Sequence, residues 1–144
     1  MQCRHSHILG KIYVAMKTVY LDIPYKNWGV VVVYDYDVRD EYVELMAVMR
    51  SFGLPHYKAR QAMNILSAYN TGMTISVDEL KMSVIFIGKA TTPSEWWSTA
   101  FHELKHSADA IISYYDVDWD GEDAAYLTGY LTKQLVEQIA NPCR

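Results

Sequence analysis

The chain has 144 residues, of which 51% are apolar and 21% charged, with a formal net charge of −4. This length and balance fit one folded domain that can bury a core without disulfides, and they exclude a disordered chain. No Lys/Arg cluster offers a footprint for nucleic-acid phosphates, and no apolar run approaches the ~20 residues of a membrane span.

Residues 1–10 are mixed in character, with His5 and His7 among them. They read as a disordered leader without the apolar segment of a secretion signal. Cys3 and Cys143, one near each terminus, read as free thiols, which makes the cytoplasm the expected location. Residues 12–23 are rich in β-branched and aromatic side chains and end at Pro24, as a strand or a bent strand pair does. After the turn-like Asn27-Trp28-Gly29, residues 30–38 predict a second strand. Its run Val30-Val31-Val32-Val33 suits a strand covered on both faces.

Asp40 is placed to cap a helix over 41–52, with Gly53 at its C-terminal end and Pro55 just beyond. A second helix is expected over 56–69, with Ala62, Met63, Leu66 and Tyr69 near one face, closed by Asn70-Thr71-Gly72. Residues 73–77 and 82–87 predict a hairpin that turns near Asp78-Glu79. Thr92-Pro93-Ser94-Glu95 has the form of a capping box opening a long helix to about Tyr115. Trp97, Phe101, Leu104, Ala108 and Ile111 would form its core stripe. After an acidic stretch, a last helix starts near Gly121 and carries Leu127, Leu131, Leu135 and Ile139 at four-residue steps. The expected fold is one α+β domain, a small mixed or antiparallel sheet with about four helices packed on one side.

The chemistry concentrates in His102-Glu103-Leu104-Lys105-His106. Two imidazoles at i and i+4 on a helix project from one face and can bind one tetrahedral ion. Glu103 is rotated about a quarter turn from His102. It is placed to act as a general base beside a zinc-bound water, as in an HExxH hydrolase. The pattern arises in only about 0.7% of shuffles of this composition. The bland alternative is a solvated helix face with two incidental histidines.

A catalytic zinc site needs a third protein ligand. Asp116-Val117-Asp118-Trp119-Asp120-Gly121-Glu122-Asp123 follows closely, and Glu122 is the expected donor. It would lie in the first turn of the last helix, with Asp120 as N-cap, brought back beside His106 by antiparallel packing. Asp109 and Asp123 are candidates to orient an imidazole N–H. Tyr126, Tyr130, Tyr114 and His56 are candidate donors to an oxyanion. Asp116, Asp118, Asp120 and Gly121 also half-match an EF-hand calcium loop, with Leu127 where a glutamate is required.

At these residues the chain resembles the gluzincin zinc metallopeptidases, most of all the very small peptidases of bacterial and phage genomes. The likeness rests on His102-Glu103-x-x-His106 followed by Glu122 in Glu-Asp-Ala-Ala-Tyr-Leu, over about the last 50 residues. It implies a minimal zincin-like domain with Zn2+ held by His102, His106 and Glu122, and Glu103 activating water to cleave a peptide or protein substrate. It also implies a sheet-edge strand beside the metal that binds extended peptide, a role residues 82–87 could serve. Where the classical family has an acidic residue four positions after the third ligand, this chain has Tyr126. The competing expectation is a non-catalytic binding or regulatory protein stabilised by its metal.

Overall fold

The computed structural model of the protein describes residues 16–23, 27–69, 72–115 and 122–139. In chain order these form β1 (Lys17–Ile23), β2 (Trp28–Tyr34), α1 (Tyr42–Ser51), α2 (His56–Tyr69), β3 (Gly72–Val77), β4 (Met82–Ile87), α3 (Pro93–Tyr115) and α4 (Glu122–Gln138). A 3-10 turn over Asp78–Leu80 joins β3 to β4. The sheet order is β1-β2-β4-β3. β1 runs antiparallel to β2, β2 parallel to β4, and β3 antiparallel to β4. The fold is α+β with a mixed sheet, as expected. None of the helices is long and apolar enough to cross a membrane among the described residues.

The helices cover both faces of the sheet, not one. The valine run explains why. Val30 and Val32 point into a core completed by α3 and α4, through Leu104, Ala108, Ile111, Leu127, Leu131 and Leu135. Val31 and Val33 point into a second core against α1 and α2, through Leu45, Met49, Met63 and Leu66. Four consecutive residues, each 0 or 1% exposed, need apolar partners on both sides because strand side chains alternate faces.

Local chemistry sets the element ends. β2 stops at Tyr34, short of the expected Val38, because Asp35 takes a left-handed φ of 57°. Asp40 does not cap α1. Asp37 accepts the backbone N–H groups of Arg39 and Asp40, and the Glu41 carboxylate accepts those of Asp37 and Met16. Gly53 ends α1 as expected. With φ 89° it closes a Schellman turn, its N–H donating to Arg50 O while Leu54 N–H donates to Met49 O. Thr92 Oγ1 accepts Glu95 N–H, half of the expected capping box; the Glu95 carboxylate instead accepts the Thr91 hydroxyl. Leu127, Leu131, Leu135 and Ile139 are all buried, as α4 was expected to place them.

The two sheet edges differ. At β1 the Gln134 amide of α4 bonds both backbone groups of Asp22, and Gln138 donates to Tyr20 O. These two side chains stand in for a neighbouring strand. At the other edge lies β3, half-buried throughout.

Candidate metal centre

α3 holds the two histidines one turn apart on its exposed face; the His102 side chain is 68% exposed. Their Nε2 atoms are 3.1 Å apart and the rings meet edge to face. Two nitrogens at zinc-bond length on a tetrahedral ion stand about 3.3 Å apart. The imidazole pair therefore has the span and donor type of half a tetrahedral zinc site.

Glu103 turns the other way, into the protein, and is 7% exposed. Its Oε1 accepts the Thr74 hydroxyl from β3 at 2.8 Å, and its Oε2 lies 3.9 Å from His102 Nε2. The same hydroxyl stands 3.1 Å from the Glu103 carbonyl oxygen, so one proton is shared between two acceptors of one residue. Gly72 makes the approach possible. A Cβ there would lie 2.7 Å from Thr99 Cγ2 and 3.0 Å from Glu103 Cγ. The carboxylate also reaches Tyr36 electrostatically: burial first, and then Glu103, push the Tyr36 phenol well above its ordinary value.

Thr99, Glu103 and Ser107 form one i, i+4 row on the side of α3 nearest β3. The buried face of the helix is Trp96, Ala100, Glu103, Leu104, Ser107, Ala108, Ile111 and Ile112. The expected apolar stripe is thus rotated. Phe101 is exposed and stacks on Trp97 at 5.5 Å between ring centroids. A reading by hydrophobicity alone misses this, because two of the inward residues are polar and meet a strand that alternates Gly72, Thr74 and Ser76 on one face.

The structure does not bring Glu122 to the histidines. Among the described residues no group of three His, Cys, Asp or Glu side chains could hold one ion. The expectation put the first turn of α4 beside His106, and helix geometry explains the difference. Two packed helices joined by six residues must be antiparallel, so Glu122, the first residue of α4 and exposed, is level with the end of α3 near Tyr115. His106 lies nine residues back, about 13 Å along the axis at 1.5 Å per residue. α4 also packs on the flank of α3 away from β3, since it reaches β1 at the opposite end of the sheet.

The remaining candidates scatter. Asp109 is ion-paired with Lys105, not with an imidazole. Asp123 is exposed at the start of α4, Tyr126 is 73% exposed, and Tyr130 is partly exposed on the same helix. Tyr114 packs edge-on against Trp28. His56 opens α2, in the layer across the sheet from α3. Asp116, Asp118, Asp120 and Gly121, with both the calcium half-match and the expected N-cap of α4, lie outside the described residues.

Three residues of the site had no part in the sequence expectation: Gly72, Thr74 and Tyr36. Gly72 reads locally as the end of α2. The small-polar alternation of β3 was the available signal for Thr74. Nothing local marks Tyr36, since its position depends on how β2 ends. Comparison with family models, with curated proteins and with solved structures finds no match to the chain.

Proposed function

We propose that the protein is a zinc-dependent metallopeptidase with its centre on α3, acting in the cytoplasm. The observation that carries this reading is the imidazole pair, whose Nε2 atoms stand 3.1 Å apart beside a buried carboxylate. His102 and His106 would hold the ion through these atoms. Zinc, when bound, supplies a Lewis acid that polarises a carbonyl and acidifies water. Glu103 Oε2, the carboxylate oxygen nearer His102, takes the proton of the attacking water and returns it to the leaving amine. Thr74 holds Oε1, so the carboxylate keeps one orientation and presents one oxygen for this work.

The sheet supports the same reading. The resemblance implies an edge strand beside the metal, and residues 82–87 do not qualify: β4 is paired on both sides, to β2 and to β3. β3 takes that place. It is an edge strand and it touches α3 through Thr74; the groove of about 760 Å3 beside it includes Leu54, Ile65, Met73, Ile75 and Leu80 and opens on the α1/α2 side of the sheet, across from the histidines. An extended peptide can add to it by main-chain pairing, which gives affinity without demanding a sequence.

The test is zinc content by mass spectrometry and cleavage of a quenched-fluorescent peptide library. About one zinc per chain is expected, lost in His106→Ala. Glu103→Gln should retain zinc and lose at least about 100-fold in turnover, the scale of a general base. Glu122→Ala and Asp118→Ala, run beside it, identify the third donor as the variant whose zinc falls. Full hydrolysis in Glu103→Gln would overturn the mechanism, and a chain without zinc would overturn the reading.

One observation favours a second reading. Glu103 is buried and bound to β3, as a residue would be whose task is to fix α3 against the sheet. In that case the metal would stabilise a binding or regulatory protein. Zinc would bind, chelation would lower the melting temperature, and no peptide would be cleaved.

A further inference from the structure

His102 and His106 share one i, i+4 row of α3 with Ser98 and Ala110. Both neighbours are small, so no bulky side chain on the row screens the imidazoles. Lys105 and Asp109, the charged residues beside the row, are ion-paired with each other. The two Nε2 atoms, 3.1 Å apart on an exposed face, supply one edge of a tetrahedron of donors. Among the described residues the chain brings no third His, Cys, Asp or Glu to them. The centre is half of a tetrahedral site, and the other half has to come from elsewhere.

A second copy of the chain offers that half. Opposite edges of a tetrahedron are exchanged by a two-fold axis through its centre, and the two-fold dimer is the commonest closed assembly. An ion on such an axis receives the imidazole pair of one protomer and the same pair of its partner. The charges also match. Four neutral imidazoles leave a zinc ion its two positive charges. Each protomer sets one carboxylate beside it, Glu103, with Oε2 3.9 Å from His102 Nε2, so two copies supply two negative charges. Thr74 holds that carboxylate against its own sheet, where it balances the ion without taking the place of an imidazole.

We propose that zinc joins two copies of this chain through a four-histidine site, with His102 and His106 contributed by each protomer, and that this dimer is the closed form of the centre. A hydrolytic zinc site needs one position open to water, and four imidazoles fill all of them. The dimer therefore holds zinc without the means to cleave a peptide. Zinc in excess of the chain gives each protomer its own ion and returns the open monomer. The inference rests on the zinc-binding part of the reading above, not on hydrolysis.

The experiment is a zinc titration of the full chain, read by size-exclusion chromatography with light scattering, with peptide cleavage measured at each ratio. The chain should be monomeric in chelator and reach twice its mass at one zinc per two chains. In many-fold excess of zinc it should return to monomer. X-ray absorption of the dimer should show four imidazole nitrogens at about 2.0–2.1 Å. His102→Ala and His106→Ala should each stay monomeric at every ratio with unchanged circular dichroism, because both side chains are exposed. A monomer that holds one zinc at the limiting ratio would overturn the proposal and leave the peptidase reading standing. A dimer that survives chelator, or either substitution, would overturn it as well. A zinc-bridged dimer from a chain that cleaves nothing at any ratio would uphold the proposal and remove the peptidase reading instead.

Discussion

At the residue scale, the site depends on how closely β3 passes beneath α3. Gly72 has no left-handed φ, so alanine is conformationally allowed there and the constraint is contact alone. Gly72→Ala should cost about 1–3 kcal/mol in urea unfolding, the range for overpacking. Thr99→Ser in the same chain should recover part of that loss, because it removes the Cγ2 atom that the new Cβ meets at 2.7 Å. Additive losses in the double variant would place the strain elsewhere. Asp37 gives a prediction in pH. The N–H of Asp40 first, then that of Arg39 and the charges of Lys89 and Arg39, hold its carboxyl below the usual range against some opposing desolvation. A carboxyl whose folded pKa is depressed stabilises the protein above its unfolded value, near about 3.9, and that stability is lost as pH falls through the folded value. Melting temperatures of wild type and Asp37→Asn should therefore converge as pH drops below about 4.

At the element scale, α4 protects one edge of the sheet and leaves the other accessible. Gln134 satisfies both backbone groups of Asp22, so Gln134→Ala exposes an unpaired stretch of β1 as well as removing two hydrogen bonds. A loss of about 1–3 kcal/mol is expected, with concentration-dependent association by light scattering, because an open edge is a template for another strand. Stability lost without association would mean that neighbouring side chains still shield the edge. α3 shows a different division. Its apolar residues hold it on the sheet, while the Thr99, Glu103 and Ser107 row orients it over β3. The histidines need only the solvent face that remains, which is why they can be exposed and still accurately spaced.

At the scale of the whole molecule, one sheet separates two cores. Val32 and Val33 are neighbours in sequence and belong to different cores. Val32→Ala and Val33→Ala should each cost about 2 kcal/mol in denaturant unfolding, the scale of a fully buried valine. Both should retain a single transition, because β2 is shared by the two layers. A negligible loss in either would mean that one face of the sheet lacks a true core.

The sequence alone determined what local patterning can encode. Alternation and β-branching marked the four strands, and Thr92-Pro93 and Gly53 marked helix ends whose backbone groups need partners wherever the chain goes. The i, i+4 spacing put His102 and His106 on one face of α3, because helical pitch is the same in any fold. The tertiary structure decided everything that depends on distance between elements. It set helices on both faces of the sheet, made β3 and not β4 the edge beside the histidines, and turned Glu103 inward against Thr74. It aligned Glu122 with the end of α3, away from His106. None of these follows from spacing along one element. Each is fixed by which surfaces pack together, and Glu103 is drawn inward because the opposing strand offers the Thr74 hydroxyl and leaves out a side chain at Gly72.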